Sequence, residues 1–160
     1  MTQEQADRCF EAETWLMRTW DDDKELKQLI SHREELIASM SGIGKYDSKS
    51  VPGGCDPNPT EAKNLEYSRL SAEIERIENK ISTENTKTLE VIYKIKDTTK
   101  DASKVRGMLI GRYMNRLSWK KVGELFHYGN RHSYNYRVRC LNAIYPFIPK
   151  EEIINERKDN

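Results

Sequence analysis

From Asn64 to Lys96 the chain has neither proline nor glycine, and its apolar residues recur in alternating steps of four and three. Leu70, Ile74, Ile77, Ile81, Glu84, Thr88, Val91 and Ile95 hold that spacing over more than three heptads, with Leu89 and Ile92 beside the later positions. Such a period places one seam along an α-helix and excludes a strand, whose faces alternate at every second residue. At about 1.5 Å per residue the helix is on the order of 50 Å long. A seam this narrow draws its stability from packing, so it needs a partner.

The chain offers one upstream. Glu4 to Met40 also lacks proline and glycine, and Leu26, Ile30, Arg33, Ile37 and Met40 step by four and three. Trp15, Leu16 and Trp20 extend the apolar character towards the N-terminus. Asp21-Asp22-Asp23 interrupts it, which predicts either two helices or one with a polar break. Between the two helical tracts stand Gly42, Gly44, Pro52, Gly53, Gly54, Pro57 and Pro59, which stop helices. Folding the first tract back antiparallel across a 41–60 loop covers both seams; a second chain is the alternative partner. The expected fold is all-α, with a long antiparallel helical hairpin over 1–96. A three-helix domain follows over 101–147, then an acidic, flexible tail over 148–160.

Several function classes drop out. Cys9, Cys55 and Cys140 are far apart, form no C-x-x-C, and are not joined by His32, His127 or His132 at zinc spacing. Sparse, odd thiols point to a reducing cytoplasm, and no stretch approaches the roughly 18 apolar residues of a membrane span. Gly42-Ile43-Gly44-Lys45 is similar to a phosphate loop, but Ser39 and Tyr46 occupy two defining positions. Asp21-Asp22-Asp23 cannot converge on a cation, because consecutive helical residues point in different directions. No nucleophile stands in a catalytic motif, so neither an enzyme, a cofactor nor a metal is expected.

The net charge of +1 conceals an asymmetry. Residues 1–100 carry 15 Lys/Arg against 20 Asp/Glu, whereas residues 101–150 carry 10 Lys/Arg against only Asp101 and Glu124. A local balance of +8 is the footprint of a nucleic-acid contact. The same segment reads as three helices. One runs from a cap at Asp101 or Ser103 to about Arg116. A second starts at an N-cap on Ser118 and ends near Phe126. A turn at His127-Tyr128-Gly129 then leads into a third, from about Asn130 to Ile144, ended by Pro146. On the third helix Ser133, Tyr136, Cys140 and Ile144 share the face expected to pack on Val122, Leu125 and Phe126. Arg131, Asn135, Val138 and Asn142 share the opposite face, flanked by Tyr134 and Arg139. Arginine and asparagine match the edges of guanine and adenine in a major groove, and a valine can meet a thymine methyl. Gly123 suits a close helix crossing. This is the pattern of a helix-turn-helix, with Arg131, Tyr134, Asn135 and Val138 expected on bases and Arg112, Lys120, Lys121, Arg137 and Arg139 on phosphates.

These residues also carry a family resemblance. Arg112-Tyr113-Met114-Asn115-Arg116-Leu117-Ser118-Trp119, Val122-Gly123-Glu124-Leu125-Phe126-His127-Tyr128, Tyr134 and Leu141 resemble the C-terminal half of phage regulators of the RinA/ArpU type. Those proteins end in a helix-turn-helix resembling region 4 of bacterial sigma factors. Upstream the likeness runs through Tyr46, Val51-Pro52-Gly53-Gly54 and the 64–96 helix. It implies a phage or prophage transcriptional regulator acting on double-stranded DNA in the bacterial cytoplasm, with Asn130, Arg131, Tyr134 and Asn135 as recognition positions. Gly129-Asn130 replaces the usual Ser or Thr cap, with Asn130 able to cap. Ser133 replaces an apolar core residue, and Arg137 stands where a histidine is common. The hairpin is expected to supply homo-oligomerisation or a contact to RNA polymerase. Two other classes compete: the DNA-recognition subunit of a phage packaging machine, and a protein-interaction module whose basic helix docks on an acidic partner.

Overall fold

The computed structural model describes residues 1–43 and 59–153. Among these every regular element is helical and no strand occurs. Most of the 41–60 loop, Cys55, the last part of the phosphate-loop-like run and residues 154–160 lie outside the described residues.

Helix α1 (Gln3–Leu16) starts at Thr2, whose hydroxyl accepts from the Gln5 amide at 3.2 Å while the Gln5 side chain accepts from the Thr2 amide at 3.1 Å. This reciprocal pair satisfies two of the amides a helix start leaves open. Helix α2 (Trp20–Ile43) follows a break at Met17–Thr19, so the interruption precedes the three aspartates. Asp21, Asp22 and Asp23 instead form the first turn of α2, where the helix dipole favours negative charge. Helix α3 (Pro59–Tyr93) is 35 residues long and opens on a proline, whose missing N–H is no loss at that position.

The chain divides into two compact units, Trp20–Thr83 and Met1–Thr19 with Glu84–Asn160. In the first, Lys80 pairs with Asp22 at 3.1 Å, His32 meets Glu66 at 3.1 Å, and Lys63 donates to Ser39 at 3.0 Å. Contacts that descend along α3 as they ascend along α2 mean the two helices run antiparallel. Leu36, Ile74 and Ile77 are buried here, so the middle of the heptad seam is covered within a single chain.

The second unit gathers pieces distant in sequence. Its core joins Trp15 and Leu16 of α1, Val91 and Ile92 of α3, and Ile95 just beyond it. Further helical pieces complete it. Helix α4 (Ala102–Leu109) runs into one π-helical turn at Ile110–Met114, and α5 (Trp119–Leu125) and α6 (Asn130–Ile144) follow. Val105, Met108, Leu109, Val122, Cys140, Leu141 and Ile144 are their fully buried side chains. The sequence pattern grouped residues 1–19 with the hairpin; the structure packs α1 on α6 instead. It also draws in the expected flexible tail as far as Ile153. Ile148 and Ile153 are buried, and Glu152 accepts the Trp15 indole N–H at 2.5 Å and pairs with Lys87. Two isoleucines in an otherwise polar segment give that stretch a reason to fold down.

Burial of Cys140 has a chemical consequence. Desolvation pushes its thiol from an ordinary value of 9.0 up to about 12. Below about pH 9 folded and unfolded chains both carry a neutral thiol. Between about 9 and 12 only the unfolded chain ionises, so this site's contribution to stability declines as pH rises through that window. At pH 8 a thiol reagent should modify Cys140 far more slowly in the folded protein than in denaturant. Equal rates, read by mass spectrometry of the labelled peptide, would contradict the burial.

Candidate nucleic-acid interface

Ser118 caps α5 as its position predicts: its backbone is extended and its hydroxyl accepts from the Lys121 amide at 3.2 Å. The first helix of the trio behaves differently. Asp101 precedes α4 with φ 57° and makes no side-chain capping bond; its carboxylate lies 3.4 Å from Arg139 instead. Beyond Leu109 the backbone widens, with the Asn115 amide donating to Ile110 at 2.9 Å and the Leu117 amide to Gly111 at 3.0 Å.

The α5–α6 crossing is set by Gly123 and Ser133. A Cβ on Gly123 would sit 2.0 Å from the Ser133 hydroxyl oxygen and 3.1 Å from the Tyr128 carbonyl oxygen. Only glycine opposite a small residue permits this approach, which explains a serine at a core position. Ser133 is buried with its hydroxyl donating to the Gly129 carbonyl at 3.1 Å. Gly107 makes the matching allowance for Phe126, whose ring would lie 2.7 Å from an added Cβ. Leu125 does not join this packing: it is 63% exposed, because α5 ends there and turns its last apolar side chain outward. Tyr136 is only half-buried and stacks on Tyr128 rather than entering the core.

Gly129, extended at φ −70°, is the N-cap of α6, so Asn130 is its first helical residue and not its cap. The Asn130 side chain lies outside the described residues. Arg131, Tyr134 and Asn135 are exposed on the first turns of α6. Val138 is half-buried, and its carbonyl lies 4.0 Å from the Cys9 thiol of α1. The structure thus brings three of the five expected base-contacting residues together on one open face.

The expected phosphate contacts divide. Lys120 and Lys121 are exposed on α5. Arg112 donates to the Leu117 carbonyl at 3.0 Å, closing the turn before α5. Arg137 pairs with Glu13 at 2.5 Å, and the same carboxylate accepts from the Tyr113 hydroxyl at 2.8 Å. Burial pushes the Tyr113 phenol above its ordinary range, with Glu13 adding to the shift, so it remains a donor at all physiological pH. Arg139 donates to the Lys100 carbonyl at 2.5 Å as well as meeting Asp101. These three arginines hold the fold around α6.

One group near this face escaped the sequence reading. Tyr128 and Tyr136 stack with ring centroids 4.5 Å apart, their hydroxyls 3.0 Å apart, and Lys104 of α4 donates to Tyr128 at 3.1 Å. The eight-residue separation of the tyrosines was the available signal, but it spans a turn and so follows no helical period. Among the described residues no cluster of potential metal ligands occurs and no helix is long and apolar enough to cross a membrane. Compared with family models, curated proteins and solved structures, the chain matches none.

Proposed function

We propose that this chain is a sequence-specific DNA-binding protein of the phage transcriptional-regulator type, in which α5, the 126–129 turn and α6 act as a helix-turn-helix. One observation carries the reading. Arg131, Tyr134 and Asn135 stand exposed together at the start of α6, while the other side of that helix is fixed by the Gly123–Ser133 contact. Side chains that read bases must be presented by a rigid element, and their guanidinium and amide groups need to be free of internal partners. The side chains of Arg131 and Asn135 make no hydrogen bond or ion pair among the described residues, whereas most other arginines of this unit do. Lys120 and Lys121, close by on α5, supply non-specific attraction to phosphates. The antiparallel α2–α3 pair is read as the arm that meets the transcription machinery or a second copy.

A random duplex library, selected on the full chain at moderate salt and sequenced, tests this. An enriched motif is expected. Arg131→Ala should relax preference at one position by about 1–3 kcal/mol, and Lys120→Ala should weaken all sequences alike. Retention without a motif would favour the packaging class, and no retention would leave the protein-interaction module.

A further inference from the structure

A helix lying in a major groove has a phosphate strand along each of its sides, so cations are needed on both flanks. Projected on α6, Tyr134 and Arg137 fall on one flank of the Arg131–Asn135 face, and His132, Tyr136 and Arg139 on the other. The first flank adjoins α1. The second is lined by Tyr128 of the turn and Lys104 of α4, whose ammonium lies 5.5 Å from the Tyr128 ring centroid and donates to its hydroxyl. The His132 ring sits 6.4 Å from that of Tyr128, and the Arg139 guanidinium 5.6 Å from that of Tyr136. Asp101 is the carboxylate facing this group, and it is paired with Arg139.

We infer that Lys104 is a second anchor for a backbone phosphate of the duplex, held in place by the stacked Tyr128–Tyr136 pair. The inference rests on reading α6 as the DNA-contacting helix. Lys104 is exposed and makes no ion pair among the described residues. An ammonium has three donors; the phenol takes one and leaves two for phosphate oxygens. A free lysine stem gives up considerable rotamer freedom when it is fixed on a ligand, and the bond to Tyr128 imposes part of that restriction in advance. The Tyr128 hydroxyl bond also raises the Lys104 pKa, so the cation persists at neutral pH. Tyr128 acts through Lys104 and is a positioning residue.

The test is the salt dependence of binding by the full chain to a labelled duplex, the enriched one or, where none is enriched, a mixed-sequence one. Lys104→Ala should cut affinity several-fold on every sequence and reduce the slope of log K against log salt by about 0.9, the release of one counterion. Lys104→Arg should restore the slope. Tyr128→Phe should weaken binding about two- to threefold when Lys104 is present and have no effect on top of Lys104→Ala, as expected for groups acting as a unit. Thermal unfolding of each variant separates loss of contact from loss of fold, and Lys104 is exposed enough for that control to stay unchanged. Wild-type binding with an unaltered slope in Lys104→Ala overturns the anchor and leaves the α6 reading standing. Absence of duplex binding by the wild type overturns both.

Discussion

Gly123→Val should destabilise the protein by about 3 kcal/mol, the upper end for forcing methyl groups into a packed contact, and abolish duplex binding with it. The added Cβ alone would come within 2.0 Å of the Ser133 hydroxyl oxygen and 3.1 Å of the Tyr128 carbonyl oxygen, and valine adds two γ carbons beyond it. Gly123→Ala separates the contributing effects. Alanine is better than glycine in a helix by about 1 kcal/mol, which offsets part of the clash. Combining it with Ser133→Ala removes the atom at 2.0 Å and leaves the Ser133 Cβ at 3.2 Å, a distance that a small shift relieves. The double variant should therefore regain most of the stability lost in Gly123→Ala, a coupling measurable by denaturant titration of the four proteins. Additive losses, with no recovery, would mean that α5 and α6 do not meet at this point. For a chain of this size each kcal/mol corresponds to roughly 2–4 °C in Tm, so the valine variant should melt well below the wild type.

What the sequence revealed and what it hid follow from the range of the interactions. Local chemistry was readable. Ser118 caps α5, Gly123 sits at the close crossing, and α6 spans Asn130–Ile144, because capping, glycine and helical period act within a few residues. The heptad stripe predicted the long α3, although its later positions, Val91 and Ile95, are buried in a different unit from Ile74 and Ile77. A stripe records that a face is covered without recording by what. Contacts across great separations were therefore missed. Glu13 and Arg137 lie 124 residues apart, and Trp15 and Glu152 lie 137 apart, so no periodicity links them. That is why Arg137, a basic residue beside an apparent reading face, was expected on phosphate although it pairs with α1. Exposure at Arg131, Tyr134 and Asn135 was foreseen from the helical projection, because α6 is amphipathic and its core side was clear.

Trp15→Ala should be more damaging still, at about 3–5 kcal/mol, and should eliminate duplex binding from a position that is fully buried and belongs to α1. The Trp15 ring carries the Arg18 guanidinium at 3.9 Å, and Arg18 in turn holds the Glu84 carboxylate at 2.7 Å, which ties α1 to the last turns of α3. Its indole N–H holds Glu152, and two residues before it Glu13 holds Arg137 of α6 and Tyr113 of the π-helical turn. Removing the indole leaves a cavity at the junction of all these pieces and frees Glu152 from one of its two partners. Trp15→Phe keeps most of the apolar volume and leaves Glu152 paired with Lys87, so its loss should be smaller than that of alanine. The consequence reaches beyond one residue: a fragment limited to the three helices of the basic segment lacks the surface on which they rest. Deleting residues 1–19 should abolish cooperative unfolding of α4 to α6, followed by circular dichroism and hydrogen exchange. A truncated protein that keeps a cooperative transition and binds duplex normally would show α1 to be dispensable. The expected loss would instead make α1 a structural part of the unit that presents Arg131, Tyr134 and Asn135.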